Sequence, residues 1–150
     1  MKVLMVCLGN ICRSPLAEGI LQQKIEAQQL NWEVDSAGTS GWHDGELPDR
    51  RSIEVAKAHS IDLTHQRSRP FRASDLDEFD LILAMDSSNY VNILRLATTE
   101  AQKKKIKLIL NYVYPGQNRG VPDPYYEGGF EGVYEMLEKA CKQVVNVHSQ

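Results

Sequence analysis

Only three of the 150 residues are cysteine, at positions 7, 12 and 141. That is too few, and too unevenly placed, for the disulfide framework of a small secreted domain. No apolar run approaches the ~20 residues needed to cross a bilayer. The first apolar stretch is broken by Gly9, Asn10 and Arg13 before it could serve as a signal segment. These absences argue against membrane insertion and for a reducing, cytoplasmic setting that keeps a reactive thiol usable. Charge of one sign is also scarce: 17 basic against 20 acidic residues leave a formal net charge of −3, no electrostatic ground for nucleic acid binding. His43, His59 and His148 are scattered without metal-ligand spacing. The Gly-x4-Gly-Lys-Ser/Thr pattern of nucleotide-triphosphate loops is missing, and nothing suggests a metal or a cofactor.

No repeat or Pro/Gly/Ser-rich linker divides the chain, so residues 1–150 read as one domain, long enough for a real core. Lys2–Val6 is a β-rich run apolar on both faces, as in a buried parallel strand. From Pro15 to about Gln29, Leu16, Ile20, Leu21 and Ile25 fall at helical spacing, with the proline where a first turn tolerates it. Further strands are expected at Trp32–Ser36, Asp80–Met85 and Ile106–Leu110, and helices at Asp49–His59 and Ser87–Leu96. Phe130, Val133, Tyr134, Leu137, Cys141 and Val144 trace one face of a long last helix, which makes Cys141 a core residue. Lys103-Lys104-Lys105 reads as a solvated helix end. Strands alternating with helices predict a parallel sheet covered on both faces. In such sheets the ligand site lies at the carboxyl ends of the strands, near the point where strand order reverses. Cys7 is placed there, and its partners should come from the loops Gly38–Pro48, Asp86–Asn89 and Tyr112–Gly129.

The segment Val6-Cys7-Leu8-Gly9-Asn10-Ile11-Cys12-Arg13-Ser14-Pro15 carries the strongest chemical signal. A strand delivers a thiol into a tight loop, and a helix opens where the loop closes. Main-chain N–H groups and the helix dipole make such a spot favour anions, and the same field favours a thiolate nucleophile. Arg13 adds a planar fork that matches two phosphate oxygens. Together these suggest phosphoryl transfer through a phosphocysteine. That chemistry needs an acid for the departing oxygen and then a base for water, and one carboxyl can serve as both. Asp123, in Pro122-Asp123-Pro124, is the best candidate: flanking prolines restrict its backbone, although an isolated Pro-Asp-Pro also reads as a surface turn. Cys12 reads either as a small buried loop residue or as a thiol that captures an oxidised Cys7. Trp42, Tyr125 and Tyr126 come from the two loops flanking the pocket and read either as core or as aryl-gripping walls.

The loop sequence, with the distant Asp123-Pro124-Tyr125-Tyr126, Asp35-Ser36-Ala37-Gly38-Thr39 and Ala84-Met85-Asp86, resembles the low-molecular-weight protein tyrosine phosphatases. The resemblance runs over essentially the whole chain. It implies a single-domain flavodoxin-like three-layer sandwich with four parallel strands. Cys7 would be the nucleophile, Asp123 the general acid, and Arg13 the phosphate ligand that stabilises the transition state. The amides of Leu8, Gly9, Asn10, Ile11, Cys12 and Ser14 complete the cradle. Asn10 would be held left-handed by a hydrogen-bond network whose outer members match Ser36 and His65, with Ser14 donating to the thiolate. Cys12 would protect Cys7 through a reversible disulfide, and Trp42 and Tyr125, less firmly Tyr126, would line the pocket. Implied partners are phosphotyrosine-containing proteins, among them a tyrosine kinase, with inorganic phosphate as product. In some members the tandem tyrosines are themselves phosphorylated.

Two other readings share the loop. An arsenate reductase needs further downstream thiols, and there is no cysteine between Arg13 and Ala140. A non-catalytic phosphotyrosine-binding or redox-sensing module would have no use for Asp123.

Overall fold

The structure, a computed structural model, describes residues 1–124 and 129–149. Its centre is β1 (Lys2–Cys7), buried at five of six positions. Successive side chains of a strand point to opposite faces, and β1 divides accordingly. Val3, Met5 and Cys7 join one core cluster, Leu4 and Val6 the other. The strand therefore has no polar face, which explains its continuous apolar run.

Three more strands, β2 (Glu33–Gly38), β3 (Leu81–Ala84) and β4 (Ile106–Leu108), complete a parallel sheet in the order β2-β1-β3-β4. On the face of Val3 and Met5 pack α1 (Arg13–Ala27), α2 (Arg50–Ala58) and the long α6 (Gly129–His148). Leu16, Ile20 and Leu21 of α1 are wholly buried, each worth roughly 1.5–3 kcal/mol of transfer free energy. The opposite face carries α3 (Asp75–Glu78) and α4 (Ser87–Leu94), which contribute Leu76 and Ile93. This is the three-layer arrangement the alternating pattern predicts. Cys141 is fully buried on the α6 side, where desolvation pushes its thiol up to about 12.

The departures are local. α1 begins at Arg13, two residues before Pro15, and β2 runs on to Gly38, paired with Cys7. β4 is three residues long and passes into a 3-10 turn, Ile109–Tyr112. The short α3 has no counterpart in the sequence reading, because four residues are too few to display a period, whereas α5 (Glu100–Lys104) supplies the helix end read at Lys103-Lys104-Lys105. α5 does carry a legible start: Thr99 and Gln102 form a reciprocal capping box.

Strand order reverses at β1, between β2 and β3, so Cys7 ends the strand at the topological switch point.

Candidate active site

The loop from Cys7 to Arg13 folds over the end of β2, and Gly38 makes that approach possible. A Cβ at position 38 would stand 2.9 Å from the Leu8 carbonyl oxygen and 3.0 Å from the Gly9 carbonyl carbon. Thr39 and Ser40 then bond back to the carbonyls of Cys7 and Leu8 at 3.0 and 2.8 Å. At the top of the loop Asn10 is left-handed, with φ +56°, a region that asparagine enters more readily than most residues.

The Asn10 side chain is buried and fully used. Nδ2 donates to Ser14 Oγ and to Ser36 Oγ, both at 2.9 Å, and Oδ1 accepts from the Arg69 main chain at 3.1 Å. Ser14 Oγ lies 3.0 Å from Cys7 Sγ. Ser14 Oγ accepts from Asn10 and keeps one hydrogen, and toward a Cys7 thiolate, which has no proton to give, it is the donor. The Asn10 main-chain N–H aims at the same sulfur from 3.3 Å. Two donors thus converge on Cys7, the solvation a thiolate requires. The helix start adds N–H groups with no intrahelical acceptor, and Pro15, which has none, occupies one of those positions.

Ser36 in turn passes its hydrogen to Glu18 Oε1 at 2.6 Å. Burial pushes the Glu18 carboxyl up to about 7; Asp35 adds repulsion, while the Ser36 bond and Arg69 pull the other way. Sequence reasoning missed Glu18 and named His65 as an outer member of this network instead. His65 is exposed and makes no hydrogen bond with the described residues. Ser36 has one hydrogen to give, and Glu18 takes it. The available signal was the Ser14–Glu18 spacing, which puts both side chains on one face of α1.

Arg13 is 8% exposed. Its Nη1 donates to Asp86 Oδ2 at 2.9 Å and to the Val121 carbonyl at 3.0 Å. Nε and Nη2 have no partner among the described residues, and Arg13 lines a narrow cavity of about 130 Å³. Cys7, Leu8, Gly9, Ile11, Cys12 and Asp123 share its walls, with Ser40, Trp42, His43 and Pro124. Asn10, Ser14 and Ser36 stand behind the loop rather than in the cavity. Trp42 is 87% exposed, a rim residue rather than core, while Tyr125 and Tyr126 lie outside the described residues. A larger cavity, about 720 Å³, lies between β4, α4 and the end of α6. Neither a cysteine nor an arginine lines it, and the chemistry points to the smaller one.

The chain matches the low molecular weight phosphotyrosine protein phosphatase family over residues 2–149. A Synechocystis protein named for the same family is 48% identical, over 94% of this chain and 92% of its own length. The solved structure of YfkJ from Bacillus subtilis superposes with a TM-score of 0.92 at 37% identity, covering 100% of this chain and 97% of that one. A Drosophila arginine phosphatase has a TM-score of 0.92 at 35% identity, covering 100% of this chain and 99% of its own.

Proposed function

This chain belongs to the low molecular weight phosphotyrosine protein phosphatases, and we propose that it hydrolyses phosphotyrosine in proteins, and small aryl phosphates, through a phosphocysteine. The observation that carries this reading is the convergence of Cys7, Arg13 and Asp123 on one narrow cavity. The Cys7 thiolate attacks phosphorus in line. A sulfur–phosphorus bond forms as the bond to the phenolic oxygen breaks, and the Asp123 carboxyl gives that oxygen its proton. Water then attacks the phosphocysteine, and Asp123, now a carboxylate, takes the proton; thiolate and inorganic phosphate are regenerated. Arg13 and the loop N–H groups hold the three equatorial oxygens throughout, which is where most of the rate enhancement arises.

Residues 1–150 act as one catalytic domain, with Leu8 to Ser14 as the cradle. Cys12, on the same cavity wall, is the resolving thiol. Once peroxide has oxidised Cys7 to a sulfenic acid, attack by Cys12 forms a disulfide and releases water, and a dithiol reductant restores both thiols. That cycle suits a cytoplasmic setting. Among the described residues no helix is long and apolar enough to cross a membrane. The protein partners are phosphotyrosine-containing proteins, a tyrosine kinase among them.

Phosphate release from matched phosphotyrosine, phosphoserine, phosphothreonine and phosphoarginine peptides tests the reading. Phosphotyrosine should dominate, and acid quenching during turnover should leave phosphate on the peptide that contains Cys7. Faster release from phosphoarginine, or no phosphate on Cys7, would overturn it.

A further inference from the structure

The turn that follows β2 brings His43 into the wall of the Cys7 cavity, where it is the one basic side chain besides Arg13 among the described residues. Its ring lies on the loop itself. A Cβ built on Gly9 would stand 3.0 Å from His43 Cδ2 and 3.8 Å from Nε2, so the imidazole fills the room that a side chain at position 9 would take. Leu8, beside it, is 51% exposed, whereas Cys7 on the floor is 3% exposed. The ring therefore sits at the mouth of the cavity, away from the sulfur.

His43 is held at its ring and at its main chain. Nδ1 pairs with Glu46 Oε2, and the His43 carbonyl accepts from Ser68 Oγ. Main-chain bonds from Gly45 to Ser68 and from Ser68 to Glu46, both 2.8 Å, fasten the turn to the 66–70 segment. A carboxylate only accepts, so the Nδ1 hydrogen is committed to Glu46. Nε2 has no partner among the described residues. With its second proton the ring is a cation whose remaining donor is Nε2. The charged groups around it are Glu46 and Asp44 on its own turn, and Cys7, Arg13 and Asp123 across the cavity.

We propose that His43 determines specificity: its imidazolium receives a carboxylate side chain adjacent to the phosphotyrosine while the loop holds the phosphoryl group. The phosphoryl oxygens are already matched by the Arg13 fork and the loop amides on the floor. A donor at the mouth faces instead the peptide that carries the phosphotyrosine. Glu46 sets the ring's direction, and Gly9 leaves it the space. The inference rests on the phosphotyrosine reading above.

The test compares kcat/KM for phosphotyrosine peptides with aspartate, alanine or lysine on either side, at pH 5.5 and low salt. Each protein is judged by its own aspartate-to-lysine ratio. For a partly exposed pair the wild-type ratio should be roughly two- to fivefold. In His43→Gln it should fall to about one. His43→Lys, which places a cation at the same mouth, should keep it. A wild-type ratio of one, or a ratio that survives His43→Gln, would overturn the proposal. Were none of the peptides cleaved, the phosphotyrosine reading would fall and this one with it.

Discussion

Arg13 donates from Nη1 to the main-chain carbonyl of Val121 at 3.0 Å, two residues before Asp123. The same nitrogen bonds Asp86 Oδ2 at 2.9 Å, and Val121 N donates to the Met85 carbonyl at 2.8 Å. One guanidinium thus ties the Cys7 loop to the end of β3 and to the segment that carries Asp123. Lysine keeps the charge but loses the planar fork, so it cannot hold these acceptors and a phosphoryl group together. Arg13→Lys should lower kcat/KM for p-nitrophenyl phosphate by at least about a hundredfold, with the circular dichroism spectrum unchanged. A loss smaller than tenfold would show that the fork contributes only charge.

Asn10 combines a left-handed backbone with four hydrogen bonds, one main-chain and three from its side chain. Two substitutions separate these contributions. Asn10→Gly keeps the conformation and loses the side-chain bonds; Asn10→Ala loses the bonds and is strained as well. Each leaves the buried Ser14 and Ser36 hydroxyls short of a partner, at roughly 1–3 kcal/mol apiece. The alanine variant should be less stable than the glycine variant by about 1 kcal/mol. Urea unfolding reads the difference directly, and equal midpoints would mean that the loop relaxes out of its left-handed turn.

Glu18 makes stability depend on pH. Its carboxyl sits at about 7 in the folded protein against an ordinary 4.5. Between those values the folded chain holds a proton that the unfolded chain has released. The stability this contributes is present at low pH and lost as pH rises through 7. Full ionisation costs about 3 kcal/mol. Glu18→Gln removes the titration and keeps an acceptor for Ser36. Its melting temperature should therefore gain on the wild type between pH 5 and 8, by up to roughly 6–12 °C for a chain of this size. Parallel melting curves across that range would mean that Glu18 does not titrate there.

What the sequence made legible follows from which signals are local. Cys7 to Pro15 is contiguous, and the doubly apolar β1 with the alternation behind it placed the thiol at the switch point of the sheet. Asp123 stood out through its flanking prolines. The hold of Asp86 and Val121 on Arg13 spans separations of 73 and 108 residues, and no local pattern reports it. His43 reads as a scattered histidine until the turn after β2 folds back onto Gly9. Glu18 was hidden for a related reason: one carboxyl on a largely apolar helix face reads as solvated until Ser36 is seen opposite it.

Asp123 is proposed to give a proton to the departing oxygen, so its importance should depend on how much that oxygen needs one. Tyrosine's phenol, with a pKa of about 10, leaves poorly as an anion, whereas a strongly acidic phenol leaves well without help. Asp123→Asn keeps the shape of the side chain and cannot donate an acidic proton. Its second role, as base toward water, would slow every substrate alike and mask the first. The measurement must therefore isolate the first step, as the rate of the phenol burst on rapid mixing across a series of aryl phosphates. For tyrosine-like leaving groups the burst should slow by about 10²–10⁴-fold, and for the most acidic phenols hardly at all. A uniform slowing across the series would remove Asp123 from the acid role and leave the burst driven by the loop and Arg13 alone.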